Sequence, residues 1–246
     1  MRRIFVEPEA IQGQRLEITG ELVHHLGTVL RLSAGEKIAV CCGDGKVYQA
    51  ELQDFGRDKI SGEIFAETAA EQETKTAVHL FQGMPKGDKL ELIIQKCTEL
   101  GITKIIPLNT QRAVVKIEAN KAQKKQERWQ KIALEASQQS KRITVPEVSV
   151  PLTWKEAVRE MQEGLTIVLW EDEDKTTLRQ VLEGLENVPQ QINLVIGPEG
   201  GLTAEEVAEL QAQGAYCASL GKRILRTETA GLAALTMVLY HYQELG

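Results

Sequence analysis

The chain has 246 residues, 42% of them hydrophobic, and carries a formal net charge of −6. This length suffices for one large domain or two of ordinary size, and the composition is typical of a soluble globular protein. No apolar run approaches the roughly 20 residues of a membrane span, and the N-terminus lacks the apolar stretch and cleavage site of a signal peptide. We therefore expect a soluble, cytoplasmic protein, and the acidic balance argues against a nucleic-acid binder that depends on overall basicity.

The cysteines and histidines show no pattern typical of a metal site. Cys41, Cys42, Cys97 and Cys217 form no Cys-x-x-Cys pair, and the four histidines lack the spacing of metal ligands. The sequence predicts structural thiols, incidental histidines and no bound metal.

A small β-rich domain is predicted for residues 1–70. Short apolar and β-branched runs indicate four strands, Arg3–Val6, Lys37–Cys41, Val47–Phe55 and Lys59–Phe65. Gly43-Asp44-Gly45 is typical of a hairpin turn between the middle two strands, and a short helix is expected at about Gly20–Leu30. Closure into a barrel would remove the exposed edges of so small a sheet.

The polar segment Ala66–Thr76 has no apolar period, so we place a linker there. A second domain is predicted for residues 74–246, in which strands and helices alternate. Strands are expected at Ala77–Gln82, Lys104–Leu108, Leu165–Trp170, Ile192–Ile196 and Ala215–Leu220. Helices are expected between Gly87 and Gly101 and at Asn120–Lys141, Trp154–Gln162, Leu178–Leu185, Thr203–Gln213 and Glu228–Glu244. The alternation predicts a mainly parallel sheet covered on both faces, which binds ligands beyond the carboxyl ends of its strands.

The long helix Asn120–Lys141 lies in a locally basic stretch. Between Lys116 and Arg142 there are eight basic residues against three acidic ones, so this segment carries +5 and the rest of the chain −11. A basic surface confined to one part of an acidic protein is suited to bind a phosphate backbone at that place. A solvated helix face explains the same charge equally well.

A Gly-rich turn lies between a predicted strand and a predicted helix. The strand enters Gly197-Pro198-Glu199-Gly200-Gly201, and Thr203 with Glu206 forms a capping box that specifies the helix start. The glycines allow positive φ and close approach of a ligand to the backbone. Acidic residues in and after the turn would repel a phosphate at this helix start, and the spacing matches neither a P-loop nor a dinucleotide-binding motif. The turn therefore favours a neutral or cationic ligand held by backbone groups.

A second motif follows about twenty residues later in the sequence. Leu220-Gly221-Lys222-Arg223-Ile224-Leu225-Arg226-Thr227-Glu228-Thr229-Ala230 sets three cations around two aliphatic residues and then enters a helix rich in small residues. Taken alone, a solvated basic loop explains this segment equally well. With Trp170-Glu171 and the Gly-rich turn, it marks three strand ends at which the predicted sheet would bind a ligand.

Together the two motifs resemble the RsmE family of the SPOUT superfamily, enzymes that methylate N3 of a uridine in 16S ribosomal RNA. The resemblance extends to Arg2-Arg3-Ile4-Phe5, Pro85-Lys86-Gly87-Asp88-Lys89, Gln95–Gly101 and Glu135–Arg142, so that nearly the whole chain is covered. Separate motifs in the family's order are far more specific than one Gly-rich turn.

The resemblance implies an α/β fold with a SPOUT-type, mainly parallel sheet and a C-terminal trefoil knot, preceded by a small PUA-like RNA-binding β-barrel. The knot rests on the resemblance alone, since no periodicity in the sequence indicates one. It also implies S-adenosylmethionine as cofactor, a homodimer that uses the last helix, and 16S ribosomal RNA, within the small ribosomal subunit, as partner.

Site residues follow from the motifs and the resemblance. We assign to the cofactor crevice Trp170, Glu171, Gly197, Glu199, Gly200, Gly201, Leu220, Gly221, Ile224 and Leu225. We assign to RNA binding Arg2, Arg3, Arg15, Arg31, Lys86, Lys124, Lys125, Arg128 and Arg223. For each N-terminal arginine, a simple surface role is an equal alternative.

Methyl transfer to N3 requires that the uracil be positioned and that its N3 proton leave, assisted by a base or by cations that stabilise the anion. We assign Arg226 to uracil or phosphate contact, because a guanidinium is a planar group that stays charged. Glu228 could accept the proton. It could equally be the N-terminal residue of the last helix, paired with Arg226 or Arg223. Arg142 is expected to reach the site from the same or the partner subunit.

Two other functions share part of this pattern. Another SPOUT enzyme, such as one that methylates ribose 2′-OH in transfer RNA, would share the cofactor turn, and analysis of the product separates the two. A non-catalytic RNA-binding protein would explain the barrel and the basic helix but should bind no S-adenosylmethionine. A nucleotide-phosphate enzyme is disfavoured by the acidic residues around the turn.

Overall fold

The computed structural model describes residues 1–69 and 73–245. It divides into two compact units, one formed by Met1–Glu73 with Ser137–Thr144 and the other by Thr74–Ala136 with Val145–Gly246. Ser137–Thr144 thus belongs to the first unit, although the sequence analysis assigned it to the second domain. The predicted domain limits at residues 70 and 246 lie outside the described residues. Within the described residues, no helix has both the length and the hydropathy to span a membrane.

The first unit contains a six-stranded mixed sheet. Its strands are β1 (Arg2–Phe5), β2 (Ile11–Gln12), β3 (Arg15–Thr19), β4 (Lys37–Cys41), β5 (Lys46–Phe55) and β6 (Lys59–Ala69). They are ordered β1-β4-β5-β6-β3-β2, with β1 and β4 parallel and the other neighbours antiparallel. Closure of this sheet into a barrel stays a prediction.

The first unit confirms the predicted hairpin and helix and corrects two predictions. Gly43 (φ +80°) and Gly45 (φ +77°) form the turn between β4 and β5, and α1 (Glu21–His24) continues into a π-helical turn at His25–Val29. Strands β2 and β3 were not predicted from the sequence: β2 has only two residues, whereas Arg15–Thr19 of β3 does alternate polar and apolar side chains and could have been predicted. Strand β6 extends to Ala69, into the predicted linker, because it stays paired with β5. Residues 70–72 of that linker lie outside the described residues.

The second unit contains a seven-stranded sheet whose described pairings are all parallel. Its strands are β7 (Ala77–Gly83), β8 (Lys104–Asn109), β9 (Glu147–Val148), β10 (Leu152–Thr153), β11 (Leu165–Leu169), β12 (Gln191–Ile196) and β13 (Tyr216–Ala218). The order is β10-β8-β7-β12-β11-β13, and β9 also pairs with β8. The mainly parallel sheet is therefore confirmed, whereas β9 and β10 are two-residue strands that the sequence analysis missed.

Helices cover both faces of this sheet. They are α2 (Lys89–Leu100), α3 (Ala119–Gln139, whose last three residues belong to the first unit), α4 (Trp154–Glu160), α5 (Leu178–Glu183), α6 (Ala204–Ala212) and α7 (Thr227–His241). Successive strand residues point to opposite faces, so Leu80 joins a core cluster with α2, α5 and α7, while its neighbour Phe81 joins one with α4 and α6. Helix α3 stops short of its predicted end, because Lys141 adopts a left-handed conformation (φ +61°).

Candidate active site

A cavity of about 550 Å³ lies at the carboxyl ends of β11 and β12 in the second unit. Its walls are formed by residues 169–171, the turn that follows β12 and the loop 219–226. Lys89, Thr227 and Ala230 complete the lining. Parallel α/β sheets bind ligands at this end of the strands, and the volume lies within the usual range for small-molecule sites.

The turn after β12 is shaped by close contacts of its backbone. The N–H of Gly201 donates a hydrogen bond to the carbonyl of Pro198 (2.9 Å), and Gly201 has a φ of +69°. A Cβ on Gly201 would lie 1.8 Å from Oε1 of Glu171, and a Cβ on Gly83 would lie 2.5 Å from the backbone nitrogen of Pro198. Glycine is therefore required at the end of β7, where the close atoms belong to the backbone and the proline ring, whereas at position 201 it is favoured by the positive φ and by the place that the Glu171 carboxylate occupies.

Buried hydrogen bonds join this turn to the start of α7. The Thr227 hydroxyl donates to the Gly197 carbonyl (2.6 Å), and Nε2 of Gln82 donates to the same hydroxyl oxygen (2.8 Å). Both side chains belong to buried residues, so losing either partner would leave a polar group without a hydrogen bond. This network connects β7, the turn and α7.

Lys89, at the start of α2, forms ion pairs with two carboxylates. Its ammonium lies 2.9 Å from Oε1 of Glu199 in the turn and 3.2 Å from Oε2 of Glu228 in the first turn of α7. Glu199 also accepts a hydrogen bond from the backbone N–H of Lys86 (3.1 Å). Three segments that border the crevice thus converge on one ammonium group.

These contacts lower the pKa of both carboxyl groups. Burial acts to raise the pKa of Glu199, but the hydrogen bonds from Lys89 and from backbone N–H groups outweigh it. The N–H groups at the start of α7 lower the pKa of Glu228, and Lys89 lowers it further. The hydrogen bonds to both glutamates raise the pKa of Lys89. All three side chains are therefore charged at neutral pH.

The loop 219–226 forms the opposite wall. The Ser219 hydroxyl accepts a hydrogen bond from the Gly221 N–H (3.1 Å), and Gly221 has a φ of +110°. Leu225 is half-buried, whereas the Ile224 side chain is 85% exposed, an unusual position for an aliphatic residue that lines a cavity. Arg223 and Arg226 also line the crevice and are exposed.

Two family models match the chain. Residues 72–239 match an RNA methyltransferase domain, and residues 18–65 match an RNA methyltransferase PUA domain. Ribosomal RNA small subunit methyltransferase E from Bacillus subtilis is 40% identical over 252 residues, which cover 100% of this chain and 98% of that protein. The protein of the same name from Synechocystis is 39% identical, over 96% of this chain and 76% of its own length.

A solved structure shares the fold over nearly its whole length. It is ribosomal RNA small subunit methyltransferase E from Neisseria gonorrhoeae bound to S-adenosyl methionine, with 32% identity, a TM-score of 0.85, and coverage of 98% of this chain and 97% of that chain. The chain belongs to the RsmE family of RNA methyltransferases.

The crevice brings together most residues that the RsmE resemblance assigned to the cofactor. It is lined by Trp170, Glu171, Gly197, Glu199, Gly201, Leu220, Gly221, Ile224 and Leu225. Gly200 lies in the same turn but outside the crevice lining of the described residues. The indole Nε1 of Trp170 is buried and has no hydrogen-bond partner among the described residues.

The three residues assigned to catalysis occupy different surroundings. Arg226 lines the crevice, and Glu228 is paired with the crevice residue Lys89 rather than with an arginine. Arg142 lies in the first unit and is 9% exposed. Its guanidinium donates to Glu73 (2.8 Å from Nε to Oε2) and also to the hydroxyl of Thr144 (3.3 Å).

The residues assigned to RNA binding fall into two groups. In the first unit, Arg2 donates to the Leu30 carbonyl (2.9 Å), Arg3 donates to the Lys141 carbonyl, and Arg15 lies 3.5 Å from Glu17. Arg31 is exposed there, with a φ of +53°. In the second unit, the exposed residues are Lys86, Lys124, Lys125, Arg128 and Arg223, of which Arg128 is paired with Glu91 (2.8 Å).

Lys89 and Thr227 line this RsmE-family crevice and Gln82 donates a hydrogen bond to Thr227, but none of the three was assigned to the site from the sequence. Lys89, Thr227 and Gln82 lie within or beside motifs that carry the resemblance, but their sequence positions do not reveal their partners. Within the described part of the chain, no group of three or more His, Cys, Asp or Glu side chains could hold a metal ion.

Proposed function

We propose that the protein transfers a methyl group from S-adenosylmethionine to N3 of a uridine in 16S ribosomal RNA of the small ribosomal subunit. One observation carries the proposal: a relative bound to S-adenosyl methionine shares this fold over 98% of the chain, and here the Gly-rich turn and the motif that begins at Leu220 line one cavity at the carboxyl ends of the strands. This substrate places the protein in the cytoplasm.

The side chains and backbone of the crevice fit this cofactor. The Glu171 carboxylate beside Gly201 can accept hydrogen bonds from hydroxyl groups of the ligand. The turn and the loop 219–226 offer backbone groups. The Lys89 charge, which would otherwise oppose a cationic ligand, is offset by Glu199 and Glu228. When bound, the cofactor supplies an electrophilic methyl group on a sulfonium.

The uracil must be positioned and must lose its N3 proton. We assign Arg226 to uracil or phosphate contact, since its exposed guanidinium lines the crevice. We assign to Glu228 the positioning of Lys89, because its lowered pKa makes it a weak base. A role for Arg142 in catalysis stays a prediction, and its buried pairing with Glu73 favours structural support of the first unit.

The proposal extends to the RNA surface and the assembly. The N-terminal arginines and the lysines of α3 would contact phosphates, consistent with the match to a PUA domain. The resemblance adds a C-terminal trefoil knot and a homodimer. Met237 (44% exposed) and Tyr240 (72% exposed) on α7 support a dimer that uses this helix, and light scattering on the purified protein tests it.

Titration with S-adenosylhomocysteine tests the location of the cofactor. In Gly201→Ala, the new Cβ would force the Glu171 carboxylate out of its place in the crevice, so we expect weaker binding than in the unchanged protein. Gly214→Ala is the matched control: Gly214 also has positive φ (+90°), but nothing lies within 4 Å of its Cβ position. Equal affinity in Gly201→Ala and Gly214→Ala would place the cofactor elsewhere. Absence of binding in the unchanged protein would favour a non-catalytic RNA-binding protein.

A further inference from the structure

An arginine outside the crevice holds the turn that follows β12. Arg112, in the loop after β8, donates hydrogen bonds from one guanidinium nitrogen to the carbonyls of Gly200 (3.0 Å) and Leu202 (3.2 Å). Arg112 does not belong to the crevice lining of the described residues. It therefore contacts the turn from a side other than the one that faces the cavity.

Two adjacent glycines distinguish the two sides of the turn. A Cβ on Gly201 would meet Glu171 within the crevice, whereas a Cβ on Gly200 would lie 3.2 Å from Cβ of Arg112 and 3.4 Å from its carbonyl oxygen. The aliphatic stem of Arg112 thus covers Gly200, while its guanidinium holds the two carbonyls. A side chain at Gly200 would therefore crowd Arg112, which would have to shift by a few tenths of an ångström.

The segment that carries Arg112 is itself fixed at a second point. The backbone N–H of Gln111 donates to Oε1 of Glu206 (2.8 Å), a residue that is 1% exposed. The other oxygen of Glu206 accepts from the N–H of Thr203 (2.9 Å) in the capping box of α6. Arg112 therefore donates from a fixed position to the turn.

We infer that Arg112 is a positioning residue for cofactor binding, which holds residues 197–202 in the shape that the crevice requires. The inference rests on the proposed function, in which this turn contacts S-adenosylmethionine. A turn whose carbonyls are already held loses less conformational freedom when the ligand binds, so that more of the contact energy is retained as affinity. Arg112 touches neither cofactor nor substrate in this role.

The test compares Arg112→Met, which keeps the stem and removes the donors, with Arg112→Lys, which restores one cationic donor. We expect the Kd of S-adenosylhomocysteine to rise about 10-fold in Arg112→Met, equivalent to about 1.4 kcal/mol, and less in Arg112→Lys. Turnover at saturating cofactor should change by less than about 3-fold, because the effect is on binding. Arg179→Met, at an exposed arginine on α5, is the control and should bind as the unchanged protein does.

Three results would overturn the inference: an unchanged Kd in Arg112→Met, a loss of turnover at saturating cofactor without a change in Kd, or no recovery in Arg112→Lys. If Arg112→Met fails to fold, Gly200→Ala is the second variant, since its Cβ displaces the Arg112 stem, and it should raise the Kd by about 3-fold. Failure of the unchanged protein to bind S-adenosylhomocysteine would instead contradict the proposed function.

Discussion

Lys89 is the residue at which three segments of the crevice meet. Its ammonium lies between Glu199 of the turn and Glu228 of α7, and it is itself the first residue of α2. Without it, two carboxylates with lowered pKa values would face each other without a counter-charge. Lys89 therefore stabilises the contact between the turn and the start of α7, beside the hydrogen bond from Thr227 to Gly197.

We expect Lys89→Met to lower kcat/KM for methyl transfer by about 2- to 5-fold, which is within the range for exposed ion pairs. The variant also lacks a positive charge beside the crevice. The Kd of S-adenosylmethionine, which carries a sulfonium cation, should therefore fall relative to the Kd of S-adenosylhomocysteine, whose sulfur is uncharged. Lys155→Met, at an exposed position on α4, is the control. If Lys89→Met kept the kcat/KM of the unchanged protein and the same ratio of the Kd values for S-adenosylmethionine and S-adenosylhomocysteine, the ion pairs would have no role in the site.

Glu228 has two candidate roles: it could accept the N3 proton of the uracil, or it could serve only as the ion-pair partner of Lys89. Because its pKa is lowered from the ordinary value of 4.5, it stays ionised through neutral pH and attracts a proton weakly. Gln at this position keeps the size of the side chain and removes only its charge, so we expect Glu228→Gln to lose less than about 10-fold in kcat. Removal of a general base typically costs about 10²- to 10⁴-fold. A loss in that range, with a changed pH profile of kcat, would make Glu228 the base.

At the scale of elements, the site depends on how strand ends pack. Gly83 ends β7 directly against Pro198, the second residue of the turn after β12. The two strands are parallel neighbours from Ala77↔Gln191 to Gln82↔Ile196. The position of the turn is therefore set by the strand beside it.

We predict that Gly83→Ala displaces the turn, because the new Cβ would lie 2.5 Å from the backbone nitrogen of Pro198. The expected result is a loss of about 1–3 kcal/mol in the free energy of unfolding and a Kd for S-adenosylhomocysteine raised at least about 10-fold. Gly27→Ala is the control, since its nearest neighbour would be Cδ1 of Phe55 at 3.9 Å. Normal cofactor affinity in Gly83→Ala would mean that the turn does not need β7.

Sequence patterns predicted the elements of this site better than the contacts between them. The capping box of Thr203 and Glu206 is local, so it specified the start of α6 from four residues. The partners of Lys89 in the turn and of Gln82 at α7 lie 110 and 145 residues away along the chain. Such pairs depend on strand order, which periodicity does not encode. The same limit hid Arg112, whose carbonyl partners are 88 and 90 residues away.

At the scale of the whole molecule, the chain divides into two units with different tasks. All residues that line the crevice belong to the second unit. The first unit has its own sheet and core cluster and includes the buried ion pair of Glu73 and Arg142. Changes confined to that pair should therefore affect the first unit and leave the cofactor crevice intact.

We expect Arg142→Met to cost about 3 kcal/mol of unfolding free energy, because it leaves the Glu73 carboxylate partly buried without its partner. Burial acts to raise the pKa of Glu73, but Arg142 and the neighbouring donors lower it overall. A lowered pKa contributes stability above the ordinary carboxyl value of 4.5, which is lost as the pH falls through the folded-state pKa. The difference in unfolding free energy between Arg142→Met and the unchanged protein should therefore become smaller as the pH falls.

The Kd of S-adenosylhomocysteine should stay within about 2-fold in Arg142→Met, a change too small to indicate a lost contact. The double variant Glu73→Gln/Arg142→Met should recover part of the unfolding free energy that Arg142→Met loses, since no uncompensated charge remains. If Arg142→Met lost methyl transfer but kept its unfolding free energy and its affinity for S-adenosylhomocysteine, the result would instead support the catalytic role predicted for Arg142.

The most direct test of the account is transfer of labelled methyl from S-adenosylmethionine to small ribosomal subunits that lack the modification, followed by nucleoside analysis of the digested RNA. We predict label in 3-methyluridine, and at limiting S-adenosylmethionine less of it in Gly201→Ala than in Gly214→Ala. Label in another nucleoside, such as a 2′-O-methylated one, would contradict the proposed reaction. Absence of transfer to small subunits despite tight cofactor binding would contradict the proposed substrate.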